Sequence, residues 1–365
     1  MHDKYIIFSP YTAGYCNVLL SYEIAFAIAH ITDRKIIIPP TNWCVLIDHR
    51  TAAKETWQDI WSVLDITAAK HYIDIVNLLD YGYKEEYWSS NFPLSWTGNM
   101  SYMLDDVYDL SQHHTILMQE NSFPCFYNSA RKCTDLNLFA AGRELIDLNI
   151  NSKYINIQGC LFGHYWHQVY AGLAADRNAM KQAVNNSLKY KSKFHDMAAT
   201  LMPGQYNAIH VRNPKQINFD NYAGVKDIKD NPELLLELVS QLLTNDKPLY
   251  VSTDIDPISC EHLFSKLSTQ YQLKFSWEFQ SNLTPLESIA VDQLICAGAE
   301  LFYGTYYSTF SKRINVMRGL NNKQANDNGG FNKHIEKESP NAMPWIDYEK
   351  YEWHMSSLAQ WTYEE

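Results

Sequence analysis

The sequence predicts an α/β protein made of two Rossmann-like halves that face a central cleft. Three observations carry that prediction. At the N-terminus "KYIIFSP", a helix-periodic stretch from Val18 to Thr32, and "RKIIIPP" follow one another. Strand, helix and strand in so short a span make a βαβ unit and begin a parallel sheet. The same alternation returns after Pro203-Gly204, a turn pair that marks a boundary. At 365 residues the chain exceeds one compact core and suits two domains of ordinary size.

Each element follows from its local pattern. "KYIIFSP" reads as a buried strand running into a polar loop, and the first helix carries Leu20, Ile24, Ile28 and Ile31 on one stripe. Two prolines close "RKIIIPP". Residues 41–150 are dense in Trp and Tyr and less periodic, with helical pieces at "TWQDIWSVLDI" and "DLNLFAAGRELIDL". "KYINIQG" is a further strand, and residues 174–202 read as amphipathic helices. In the second half "YNAIHVR", "KPLYVSTD", "YQLKFSW" and "ELFYG" are strands. "NPELLLELVSQLL", with Leu234, Leu238 and Leu242 at helical spacing, "CEHLFSKLS" and "LESIAVDQLICAGA" are the helices between them. "STFSKRINVMRG" is the last helix, stopped by Gly319. The expected plan is therefore a first domain over 1–175, linking helices over 176–203, a second domain over 204–322, and a docked tail over 323–365.

Composition narrows the function classes. Apolar residues at 46% and aromatics at 14% exclude a disordered chain. A formal charge of −11 argues against nucleic-acid partners and anionic membranes, while leaving room for a local basic pocket. Seven scattered cysteines without a CxxC read as reduced core thiols. No apolar run approaches the roughly 20 residues of a membrane span, and the N-terminus lacks a signal-peptide core. A cytoplasmic location is expected, with a secretory lumen the alternative if the N-terminus is processed.

The chemistry-bearing residues gather at strand ends. In a doubly wound sheet these ends line the ligand crevice. Arg212 follows the apolar strand "AIHV", and its planar fork suits a pyrophosphate and a departing phosphate. A buried arginine paired with a carboxylate is the structural alternative. Asp254 ends "LYVST" and can accept from a ribose hydroxyl or from base N–H groups, or simply shape a turn. "GTYYSTF" hands the last strand to a helix. Ser308 or Thr309 can cap that helix or join its free N–H groups in binding an anion. Arg313, one turn on, reaches the cleft or snorkels to solvent. In the first half Gly14 and Asn17 lie in the turn before the first helix. Two metal-like patterns are weak: "DID" at Asp254–Asp256 is only three letters long, and "HYWH" lacks the spacing of helix ligands.

Taken together, these residues resemble the GDP-fucose protein O-fucosyltransferases and their wider fucosyltransferase relatives. The resemblance rests on "AGYCNVLLSYEIAFAIAHITDRKIIIPP", on "IHVR" ending at Arg212, on Thr253-Asp254, and most specifically on "DQLICAGAELFYGTYYSTFSKRI". It implies a GT-B fold and an inverting, metal-independent transfer from GDP-fucose to a protein or glycan hydroxyl, with no cofactor. It also implies that Arg212 binds the β-phosphate and assists its departure, with His210 beside it. Asp254 would face the guanosine, and Ser308, Thr309, Phe310 and Arg313 the phosphates and nucleotide. Asn17 would lie beside the fucose, with Gly14 and Tyr15 near the donor. The sequence departs from the family pattern after His-x-Arg, where "NPK" replaces an acidic position. The general base is unassigned among Glu23, Asp48, His49 and Asp220. A transferase using another nucleotide sugar, and a silent nucleotide-sugar binder, are the competing expectations.

Overall fold

The structure, a computed structural model, describes residues 4–8, 14–38, 43–48, 54–77, 113–118, 134–136, 151, 153–159, 174–213, 231–279, 282–305 and 308–320. These fall into two compact units. One holds the described residues of Met1–Leu46 and Trp57–Lys189, the other those of Ile47–Thr56 and Tyr190–Thr362.

The N-terminal unit is built on a six-stranded sheet. Its strands are β1 (Tyr5–Phe8), β2 (Lys35–Ile38), β5 (Ile75–Asn77), β6 (His113–Met118), β7 (Thr134–Leu136) and β8 (Tyr154–Gly159), in spatial order β5-β2-β1-β8-β6-β7. All pairings are parallel. A separate two-stranded sheet joins β3 (Trp43–Asp48) to β4 (Lys54–Asp59). The helix expected at "TWQDIWSVLDI" is therefore replaced by β4 and a 3-10 turn over Ile60–Ser62. The Asp59 side chain accepts from the Trp61 N–H, a local cap that starts the tight turn and ends the strand. The other expected helix, "DLNLFAAGRELIDL", begins in β7, and the rest of it lies outside the described residues.

Helix α1 (Tyr15–Thr32) is more buried than its single stripe suggested, since every residue from Ser21 to Ala29 is buried. Such a helix is apolar nearly all round because it is packed on several sides. It lies against β1, β2 and a later helix, α3 (Ala174–Ser187), which follows a four-residue helix, α2 (Ile66–Ala69). By length and hydropathy alone α1 would also pass as a membrane span, but burial in the core accounts for its composition.

The two helices expected as a linker divide between the units. Helix α3 packs on α1 and α2, whereas α4 (Ser192–Leu201) packs on a helix of the C-terminal unit. The division between the units accordingly falls at Lys189/Tyr190, whereas the sequence put its boundary at Pro203-Gly204. Each helix follows its own apolar face to a different core: α4 contributes Phe194 and Ala198.

The C-terminal unit has a four-stranded parallel sheet in the order β11-β10-β9-β12. The strands are β9 (Asn207–Val211), β10 (Leu249–Thr253), β11 (Leu273–Phe275) and β12 (Phe302–Tyr303). Helices α5 (Pro232–Leu242), α6 (Pro257–Leu263), α7 (Pro285–Gly298) and α8 (Thr309–Leu320) connect or follow them. Every residue of β9 is buried, as expected of a central parallel strand covered on both faces. Ile209, Val211, Val251 and Leu249 meet Leu235, Leu238 and Val239 of α5 in one core, so α5 turns a face slightly different from the Leu234/Leu238/Leu242 stripe. Side-chain caps set the helix starts. Asn231 caps α5, and Thr284 with Glu287 forms a reciprocal capping box for α7.

The strand order places two switch points. In the C-terminal unit the chain runs β9, β10, β11 in one direction and returns to add β12 on the other side of β9. In the N-terminal unit the reversal falls at β1, flanked by β2 and β8. Ligands of doubly wound sheets bind outside the carboxyl ends of strands at such reversals. The end of β1 marks one of these points, and the ends of β9 and β12 form the other.

Candidate active site

At the C-terminal unit's switch point, Arg212 leaves β9 and Thr305 leaves β12. The two are joined directly: the Arg212 backbone N–H donates to Thr305 Oγ1 at 3.0 Å. The same hydroxyl donates to the His210 carbonyl at 2.8 Å. Thr305 is 1% exposed. One strand over, at the end of β10, Asp254 Oδ2 lies 2.9 Å from Arg212 Nη1, and Asp254 Oδ1 accepts from the Asn213 N–H.

Arg212 is therefore paired with a carboxylate, but it is not buried. Its side chain is 41% exposed, against 18% for Asp254. A half-exposed guanidinium held from one side keeps donors to offer a ligand. Asp254, expected at the guanosine end, has both oxygens engaged within the chain. The other carboxylate of "DID" has a separate task, because Asp256 accepts from the Ser259 N–H and caps α6. Among the described residues no group of three or more His, Cys, Asp or Glu is placed to hold a metal.

His210, on β9, ties the sheet to the start of α8. Its Nδ1 is 2.8 Å from Ser311 Oγ, and its ring packs on Phe310 with centroids 4.6 Å apart. Burial, the dominant cause, lowers its pKa to about 3, with Arg212 pushing the same way and Asp254 opposing. The imidazole is neutral at physiological pH, acting as a polar bolt rather than a charge. Gly304 completes the join: a Cβ there would overlap the Ser311 side chain, so only glycine lets the first turn of α8 lie against the end of β12. The helix begins as Ser308 accepts, through its carbonyl, from the Lys312 N–H. Ser308 is buried at 7% exposure, and Thr309 and Phe310 are half-buried. The first N–H groups of a helix have no intrahelical partner, and with the dipole they favour an anion. Arg313 is 6% exposed, which rules out the snorkelling alternative. Tyr306 and Tyr307 lie outside the described residues.

Gly14, Tyr15 and Asn17 lie at the start of α1, in the N-terminal unit. Gly14 precedes α1 at φ −56°, a value open to any residue, and a Cβ on it would meet nothing among the described residues. Tyr15 is buried in the first turn. Asn17 donates its backbone N–H to the Gly14 carbonyl, while its side-chain Oδ1 is buried without a hydrogen-bond partner among the described residues. Of the base candidates, Glu23 is buried at mid-helix in α1. Asp48 ends β3, whereas His49 and Asp220 lie outside the described residues.

A second polar cluster underlies this site, and sequence reasoning did not single it out. Asp292, on α7, accepts from Tyr250 Oη and Ser252 Oγ of β10, each at 2.7 Å. Burial raises its pKa to about 6, with the two hydroxyls pulling it down and Asp254 pushing it up. The signal was present in the Asp-Gln of "DQLICAGA", but only the fold shows which strand it reaches.

Asp292 and His210 give opposed pH dependences. A carboxyl whose folded pKa is raised contributes stability below about pH 4 that is lost as pH rises through about 6. A histidine whose folded pKa is depressed contributes stability above about pH 6.5 that is lost as pH falls towards about 3. At about 1.4 kcal/mol per pKa unit, the two trends nearly cancel between about pH 4 and 6. Asp292→Asn removes one of them. Relative to the unmutated chain at each pH, its urea midpoint is expected to rise as pH increases from about 4 to about 6, by the equivalent of about 2–3 kcal/mol. Parallel profiles for the two proteins would show that Asp292 is not the compensating group.

With this geometry in place, the comparison with known families is decisive. The model of the GDP-fucose protein O-fucosyltransferase family matches residues 5–321. The chain belongs to that family. Its enzyme class is glycosyltransferase, and its two parallel α/β sheets agree with the predicted fold class. Among solved structures it is similar to POFUT1 in complex with GDP-fucose, at 14% identity and a TM-score of 0.48 over 86% of this chain and 94% of that one. It is also similar to NodZ alpha-1,6-fucosyltransferase soaked with GDP-fucose, at 13% identity and a TM-score of 0.46 over 87% and 92%. The fucosyltransferase NodZ from Bradyrhizobium matches at 12% identity and 0.45 over 87% and 94%. No curated protein sequence matches significantly.

Proposed function

We propose that this family member transfers fucose from GDP-fucose to a hydroxyl on a protein or glycan acceptor, with inversion at the sugar and without a metal ion. The observation that carries the reading is the half-exposed Arg212 guanidinium at the β9/β12 switch point, hydrogen-bonded through its backbone to the residue that leads into α8.

A leaving GDP gains negative charge as the glycosidic bond breaks. In this reading Arg212 donates its fork to the β-phosphate as that charge develops, and the opening turn of α8 adds N–H groups and the positive dipole end. These are fixed donors, and their stabilisation does the work that a divalent cation does in other transferases. The buried neutral His210 adds no competing charge and keeps the two elements in register. Asp254 holds the guanidinium in place before the donor arrives. In the N-terminal unit, the buried Oδ1 of Asn17 supports a polar contact with the sugar or the acceptor.

The test is turnover of a panel of GDP- and UDP-linked sugars by the purified chain, with acceptor lysates, in buffer containing EDTA. GDP release and labelled-sugar transfer are expected with GDP-fucose, undiminished by EDTA and with the opposite anomer in the product. Preference for another donor assigns a different transferase, and loss of activity in EDTA removes the metal-free mechanism. GDP binding without release or transfer from any donor identifies a silent binder.

A further inference from the structure

In a parallel ladder the hydrogen bonds of one strand recur at every second residue of its partner. Here β12 and β9 pair Phe302 with Ala208 and Tyr303 with Ile209, and the Ala208 N–H donates to the Leu301 carbonyl. Continuing that register, the Thr305 N–H would donate to the His210 carbonyl, and the Arg212 N–H to the Thr305 carbonyl. The structure makes both rungs with a different group: Thr305 Oγ1 donates to the His210 carbonyl and accepts from the Arg212 N–H. The displaced Thr305 carbonyl accepts instead from the Ser308 N–H at 3.3 Å, in the turn that opens into α8.

One buried hydroxyl thus stands in for its own backbone. The substitution satisfies β9 to its last residue while letting the chain leave the sheet two residues early. We infer that Thr305 is a positioning residue for the transfer: its hydroxyl fixes the backbone from which Arg212 projects and releases its own carbonyl to set the start of α8, aligning both halves of the diphosphate cradle. The inference rests on the proposed reading of Arg212 as the group that meets the leaving diphosphate.

Serine at this position retains the hydroxyl, whereas valine keeps the shape and removes it. In the full chain, the Arg212 amide of Thr305→Val is expected to exchange hydrogen about tenfold faster or more, with Thr305→Ser close to the unmutated chain and amides in the middle of β9 unchanged. With GDP-fucose, Thr305→Val is expected to lower kcat by about 10²-fold, the scale of a misplaced catalytic group, with KM little changed and Thr305→Ser restoring most of the rate. In an Arg212→Ala background, Thr305→Val is expected to add almost nothing, because the group it positions is gone.

Unchanged exchange at Arg212 in Thr305→Val would overturn the placement itself. Faster exchange with full turnover would overturn its role in transfer, as would the same fractional loss with and without Arg212. Equal damage in the serine and valine variants would assign the effect to packing rather than the hydroxyl. If the unmutated chain does not turn over GDP-fucose, the donor reading fails, and the exchange measurement still decides what Thr305 does to Arg212.

Discussion

Replacing Arg212 by alanine is expected to lower turnover of GDP-fucose by about 10²-fold or more, while leaving the fold intact. The rate loss follows from removing the only guanidinium that the described residues of the C-terminal unit hold half-exposed at the switch point. The small stability cost follows from the same exposure: a pair whose arginine is 41% exposed is worth about 1 kcal/mol or less. Steady-state kinetics and a urea titration on the same preparation separate the two effects. Arg212→Lys refines the result, because lysine keeps the charge but loses the two-pronged donation to adjacent phosphate oxygens. Its rate is expected between those of the unmutated chain and the alanine variant. Near-normal turnover in Arg212→Ala would remove the leaving-group mechanism altogether.

Arg318 is expected to show the opposite behaviour. It is wholly buried on α8, and its guanidinium donates to the carbonyls of Ala297, Ala299 and Glu300 at 3.3, 2.6 and 2.8 Å. These carbonyls close α7 and begin the segment leading to β12. A cation there satisfies acceptors that the end of a helix leaves open, and it meets the negative end of the dipole. Burial lowers its pKa from the usual arginine value, which leaves so strong a base protonated. Arg318→Met fills the space and strands buried carbonyls. The C-terminal unit is expected to lose about 3 kcal/mol or more, read as a lower urea midpoint. Activity is expected to fall only as far as the folded fraction falls, provided the assay is run where the variant is folded. A variant as stable as the unmutated chain would show that water or backbone adjustment replaces the arginine.

Much of this protein's organisation was legible because its signals are local. The strands and helices of the C-terminal unit appear close to where the sequence put them, from "YNAIHVR" at β9 to "STFSKRINVMRG" at α8. The exceptions are that α6 starts at Pro257 and ends at Leu263, short of "CEHLFSKLS", and that α8 runs through Gly319 to Leu320 instead of stopping at the glycine. Helix α1 was legible as a helix, but not as one buried nearly all round, because burial depends on neighbours brought from elsewhere in the chain. The "TWQDIWSVLDI" segment misled because its apolar spacing fits a helix, while strand pairing with β3 and the Asp59 cap decided otherwise. The linking helices were legible as helices, but their division between two cores was not.

The sequence by itself determined which chemistry stands at the strand ends: Arg212 after β9, Asp254 after β10, and a run of hydroxyls before α8. Those assignments need only residue type and a strand's stopping point. Tertiary structure decided how the groups act on one another. It turned Asp254 towards Arg212, neutralised His210 by burial and placed Asp292 under β10. It also singled out Thr305 among its neighbouring hydroxyls, through a contact that spans 93 residues of chain. The physical reason is register: which hydroxyl meets the Arg212 amide depends on how β12 slides against β9, and nothing local to either segment sets that.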